Sequence, residues 1–204
     1  FLDVAQKRGD HLSDRRILGV REKMSPRLFT TAKDIAFIGI IVASMIAGQI
    51  VFAAVAGVEI VTVLFLSFCV AYGVRRGMIA GTVFSLLRCM WFGFVLNVVV
   101  VYILYYNLFA VIFGLLGRMP GKLPLLARIF ILTVAAAAVT ACFSLLDDLI
   151  SPLILGLSAR GTRAYFYASL PVMATQSVCA AVTVALLWYP LSGIFALFSK
   201  HRYR

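Results

Sequence analysis

Arg88 stands inside the apolar stretch Phe84-Ser85-Leu86-Leu87-Arg88-Cys89-Met90-Trp91. An arginine near the centre of a bilayer costs about 2.5–3.5 kcal/mol on insertion, so it has to face protein, water or a ligand. Asn97, Tyr102, Tyr105, Tyr106 and Asn107 follow within about 20 residues, roughly the length of one membrane-spanning helix. On a helix Tyr102 and Tyr106 share a face with Tyr105 beside them, which makes that face phenolic rather than aliphatic. Glu59, Trp91 and Gln176 complete the candidate binding residues. Their chemistry is recognition: guanidinium pairs with carboxylate and rings stack on tyrosine. The set suits a ligand with an anionic or amide-rich part and a flat ring. Two plainer readings compete. Arg88 also reads as an arginine snorkelling to the headgroups. An aromatic belt at the interface accounts for some of Trp91, Phe92, Phe94 and Tyr102, though Tyr106 and Asn107 lie deeper than a belt.

The same inventory leaves little for catalysis. The two histidines, His11 and His201, sit in polar tails, so no HExxH, zinc or haem constellation is expected, and neither a catalytic residue nor a metal ligand is assigned. Ser151 lies near Asp148 in sequence, but the apolar core has no histidine or lysine to activate a serine. A G-x-x-x-x-G-K-[ST] loop is missing, so the chain should hydrolyse no ATP of its own. Cys69, Cys89, Cys142 and Cys179 fall in apolar stretches without a CxxC; four buried free thiols are expected.

These residues must be positioned by elements that lipid can surround. The chain has 204 residues, 63% of them hydrophobic and only 13% charged, with a mean hydropathy of +1.02. Soluble chains run near half apolar and about a quarter charged. The first 34 residues hold 13 of the 27 charges, and the net charge of +11 lies at the ends and turns of apolar runs. That pattern reads as membrane-flanking cations rather than a nucleic-acid surface. No secretory signal peptide is evident in the polar start, and an opening on Phe1 instead of Met suggests processing or trimming.

About 20 apolar residues cross a bilayer. The runs at 35–56, 60–74, 78–94, 97–117, 127–146 and 165–198 predict an all-α membrane protein of six transmembrane helices. Turns are expected at Gly57-Val58-Glu59, Arg75-Arg76-Gly77, Arg118 to Pro124, and in a longer loop holding Asp147, Asp148, Pro152 and Gly156 to Arg163. The sixth run is too long for one straight crossing, and its first turns are expected to tilt in before Pro171. The division is a basic cytoplasmic tail over 1–34, a membrane domain over 35–198 and a basic cytoplasmic C-terminus over 199–204. Placing the N-terminus inside puts 16 of the 19 Lys and Arg residues on the cytoplasmic side, which favours an N-in, C-in orientation. Glu59, Arg88, Tyr102, Asp147, Asp148 and Gln176 then fall toward the outer half, where they suggest a cavity open to the outside.

Gly39, Ala43 and Ala47 recur every four residues on the first span. Small side chains let another helix approach closely, either within this chain or on a partner.

The layout resembles the substrate-binding S components of energy-coupling factor (ECF) vitamin transporters. The resemblance runs over about 160 residues. Ala43 and Ala47 match the family's AxxxA motif, and the stretch from Gly57 to Leu64, with Glu59, is similar to its start of helix two. Gly73, Arg75 and Gly77 are similar to its hinge before helix three, and Trp188-Tyr189-Pro190-Leu191 to its last helix. The reading Met173-Ala174-Thr175-Gln176-Ser177 departs from an Asn or His frequent in that helix, and the basic tail is longer than in many members. The resemblance implies high-affinity capture of a vitamin or related micronutrient from outside a bacterial plasma membrane. The Glu59 and helix-three regions are most similar to the cobalamin-type members. The loaded subunit would dock the Gly39, Ala43 and Ala47 stripe on a membrane coupling protein driven by two cytoplasmic ATPases. ATP is then used by those partners, and this chain holds no cofactor and no nucleic acid. The alternative is a membrane scaffold of the MreD type, which would need no convergence of Arg88 and the tyrosines.

Overall fold

The computed structural model describes residues 32–52, 60–119 and 123–201, with the side chains of 33, 34, 92 and 196–201 left aside. Within these residues the chain is all-helical: α1 is Ala32–Val51, α2 Ile60–Tyr72, α3 Val74–Phe92, α4 Leu96–Leu116, α5 Leu125–Ile154 and α6 Ala159–His201. Most of the basic tail, the Gly57-Val58-Glu59 turn and Pro120-Gly121-Lys122 lie outside the described residues. Three helices, α4, α5 and α6 as far as Phe195, are long and apolar enough to cross a membrane. Their apolar side chains also face outward, with Leu126 79%, Leu153 74% and Leu186 70% exposed. Water would penalise such a surface, whereas lipid does not.

Helix α2 is the hub, packing against α1, α3, α4 and α6. Its 13 residues are short for a crossing, and Thr62, Val63, Phe65, Leu66, Ser67, Phe68, Cys69 and Tyr72 are buried. A helix wrapped by protein reads as uniformly apolar, with little contrast between faces. The remaining close pairs are α5 with α6, α3 with α4, α4 with α5, and α1 with α3.

Several boundaries differ from the sequence expectation. The break after α2 is Gly73 alone, at φ +82°, a left-handed conformation natural to glycine. Arg75, Arg76 and Gly77 therefore form the first turn of α3 rather than a loop. Asp147, Asp148 and Pro152 are likewise helical, inside α5. Pro171 and Pro190 lie within α6, which runs on through Lys200 and His201 instead of ending at Phe198. A proline removes one backbone donor and kinks a helix, but neighbouring groups re-satisfy the freed carbonyl in membrane helices. The cysteines are free, but only Cys69 and Cys89 are buried; Cys142 is exposed on the outside of the bundle and Cys179 is half-buried.

Glycines set how closely the site-bearing helices approach. A Cβ on Gly114 would lie 2.6 Å from the Val74 backbone nitrogen, and one on Gly117 2.6 Å from the Val70 carbonyl oxygen. Both distances are far inside van der Waals contact, so α4 meets the α2–α3 junction only because these positions lack side chains.

Candidate functional site

One end of the bundle encloses a cavity of about 220 Å³ to which every helix contributes. Gly48, Gln49 and Phe52 line it from the end of α1, and Ile60, Val61 and Thr62 from the first turn of α2. Arg88 enters from α3, Tyr102, Tyr105 and Tyr106 from α4, Thr140 and Phe143 from α5, and Gln176 from α6.

The phenolic face of α4 is held by aromatic contacts. Tyr102 packs edge-on to Phe143 at 5.3 Å between ring centres. Tyr105 packs on the same ring at 4.5 Å and meets Tyr106 at 5.0 Å. Behind the cavity, Phe84 and Phe65 fix Tyr106 at 4.8 Å and 5.3 Å. Such pairs prefer these tilted and edge geometries and stabilise by about 0.5–1.5 kcal/mol each. Gly81 makes room for Tyr106, since a Cβ there would sit 3.1 Å from both its Cβ and its carbonyl oxygen. The Ser85 hydroxyl lies 2.8 Å from the Gly81 carbonyl oxygen and 3.1 Å from that of Tyr102, tying α3 to α4 beside the cavity.

Arg88 is half-buried, and its guanidinium carbon lies 3.9 Å from the centre of the Tyr102 ring. A cation over an aromatic face gains about 0.5–2 kcal/mol, more when desolvated. Two further polar atoms on the cavity lining, Gln49 Oε1 and Thr140 Oγ1, are buried and have no hydrogen-bond partner among the described residues. Thr140 is only 3% exposed. Buried polar atoms are rarely left unsatisfied, so both invite a donor from a bound molecule or water.

Of the residues singled out from sequence, the cavity gathers Arg88, Tyr102, Tyr105, Tyr106 and Gln176. It does not gather Trp91, Asn97 or Asn107. Trp91 is exposed, at 67%. Asn97 is buried but donates from Nδ2 to Ser151 Oγ at 3.0 Å, in a separate cluster. Asn107 donates from Nδ2 to Thr82 Oγ1 at 3.1 Å and to the Ile103 carbonyl at 2.8 Å, joining α3 to α4. Glu59 lies outside the described residues, next in sequence to the lining residue Ile60. Gln49, Thr62, Thr140 and Phe143 were not anticipated. Among them only Gln49 carried a signal, as an amide in an otherwise apolar run.

The small stripe is open. Gly39, Ala43 and Ala47 are all exposed, and a Cβ on Gly39 would meet nothing within 4 Å. The stripe is therefore not consumed by packing among the described residues.

Chemically, the cavity offers one cationic fork, a wall of phenol rings and neutral hydrogen-bonding groups. No carboxylate, histidine or lysine occurs among its described lining residues. Such a lining can bind and orient a small polar ring; it presents no paired acid and base. Comparison with protein-family models, curated proteins and solved structures finds no match for the chain.

Proposed function

We propose that the chain is the substrate-binding membrane subunit of an ECF-type importer in a bacterial plasma membrane. All six helices cross or fill the bilayer, with both termini in the cytoplasm. The cavity then opens toward the outside, because the C-terminal ends of α1, α3 and α5 and the N-terminal ends of α2, α4 and α6 share that face. The observation that carries this reading is the cavity itself, where Arg88 and Tyr102 converge with the Gln49 and Thr140 oxygens, which have no partner among the described residues.

The solute class follows from the lining. Arg88 takes a carboxylate or another acceptor, the tyrosines take a flat ring, and Gln49 and Thr140 take N–H or O–H donors. About 220 Å³ lies below the roughly 300–1,000 Å³ of most small-molecule pockets. It suits a vitamin-like solute of one or two rings and falls short of a corrin.

Delivery needs partners. The exposed Gly39, Ala43 and Ala47 face supports docking on a membrane coupling protein whose two ATPases supply the energy. Affinity capture of the tagged chain from its native membranes tests this. Recovery of a multi-pass coupling protein with two nucleotide-binding subunits is expected. Recovery of cell-shape proteins instead would favour the scaffold reading.

A further inference from the structure

A second polar cluster lies outward of the cavity, where the ends of α4, α5 and α6 meet. Its hydrogen bonds can be assigned atom by atom. Ser151 Oγ donates to Asp147 Oδ1 at 2.6 Å, which uses its only proton. Asn97 must therefore donate to Ser151, as Nδ2 does at 3.0 Å, and this fixes the amide orientation. Tyr165 donates to Asp147 Oδ2 at 2.6 Å, and Ser169 donates to Asp148 Oδ2 at 2.5 Å.

Two oxygens are left over. Asn97 Oδ1 and Asp148 Oδ1 are buried and have no hydrogen-bond partner among the described residues. Their residues are only 9% and 7% exposed, and Ser151 is fully buried. Pro152 adds a third acceptor, because it has no N–H to bond the Asp148 carbonyl four residues earlier. Among the described residues the carboxylates meet hydroxyl donors, and no lysine or arginine pairs with either.

Asp147 is half-buried, but Asp148 is buried, and a buried carboxylate without a counter-charge is costly. The unused atoms are all oxygens, the donors that hard cations select over thiolate or imidazole. Asn97 is independent of the acidic pair: a neutral amide on another helix, oriented by Ser151, with its oxygen unused. We infer that Asn97, Ser151 and the Asp147–Asp148 pair form a binding site for one hard cation, sodium or calcium, at the outer junction of α4, α5 and α6.

Such a cation would act on the cavity without touching its solute. Asp147 lies one helical turn beyond Phe143, and Asp148 about two turns beyond Thr140, on the same helix. Asn97 precedes Tyr102 by five residues on α4. The ion would tie together the helices that carry the cavity wall. This inference does not depend on what the cavity binds.

The test uses the full chain purified in detergent, treated with chelator and exchanged into choline chloride. Its thermal unfolding midpoint is followed as sodium, potassium, calcium or magnesium chloride replaces choline at constant ionic strength. Sodium or calcium should raise the midpoint saturably, by about 5 °C or more at full occupancy. A response to sodium alone identifies the alkali ion, and one to calcium identifies the alkaline-earth ion. Magnesium should do little, since it dehydrates reluctantly and demands octahedral geometry. Asp148→Asn and Asn97→Leu should each abolish the response. Should either variant fail to fold, equilibrium dialysis of the unmodified chain with radioactive sodium or calcium decides. One ion per chain supports the site, and no binding overturns it. Equal midpoints in every salt, a midpoint moved by pH alone, or an undiminished response in Asp148→Asn would also overturn it.

Discussion

The guanidinium carbon of Arg88 sits 3.9 Å from the centre of the Tyr102 ring, so the charge from α3 is held at the cavity wall by α4. That geometry needs a planar cation, and lysine cannot reproduce its stacking or its two-pronged donation. Arg88→Lys should therefore weaken solute binding about 10-fold or more, and Arg88→Ala about 100-fold. The arithmetic is about 1.4 kcal/mol per factor of ten, against about 2–5 kcal/mol for truncating one partner of a buried charge pair. Titration calorimetry on the purified chain checks both. An arginine that only snorkels to headgroups would leave affinity unchanged.

Glycine positions divide the fold from the surface. Gly114→Ala would press a Cβ to 2.6 Å from the Val74 backbone, where neither side can yield cheaply. It should cost about 1–3 kcal/mol. Gly81→Ala, at 3.0 Å from Phe65 Cζ and 3.1 Å from Tyr106, should cost less stability and displace Tyr106 from the cavity wall. Gly39→Ala meets nothing within 4 Å and should stay within about 0.5 kcal/mol. Thermal unfolding in one detergent ranks the three.

The sequence made some of this legible for physical reasons. Long apolar runs mark helices whatever their partners, and a lone arginine among them marks a place lipid should not reach, as Arg88 does. The end of α5 is hidden in the sequence because Asp147, Asp148 and Pro152, all inside the helix, are loop signals in water. Here the helix continues through them, with Ser151 and Tyr165 donating to Asp147 and Ser169 to one oxygen of Asp148. Facing direction was harder still. Asn107 and Tyr106 are neighbours on α4, yet one pairs with Thr82 and the other lines the cavity. In a helix apolar all round, no stripe tells the two faces apart.

Docking on a coupling protein should depend on the α1 stripe. The triple variant Gly39→Leu, Ala43→Leu and Ala47→Leu adds bulk only at exposed positions. It should keep the unfolding midpoint and solute affinity while losing co-purification of the coupling protein and ATPases. Retained co-purification would remove the stripe from the proposed interface.

Topology is directly measurable. With both termini inside, a cysteine at exposed Ser158, between α5 and α6, should react with an impermeant maleimide on intact cells. A cysteine at Met119, after α4, should react only once the membrane is opened. Cys142 is exposed on the bundle's outer face and is replaced by serine first. Equal labelling of both sites on intact cells would contradict the six-span arrangement.

The proposed function requires that this cavity hold a solute. The most direct measurement is mass spectrometry of small molecules released by denaturing the detergent-purified chain, run beside Arg88→Ala. A near-stoichiometric anionic or amide-rich compound of one or two rings is expected in the unaltered chain, depleted in the variant. Equal recovery of the same compound from both would contradict it, as would an empty chain that also binds no such compound when supplied.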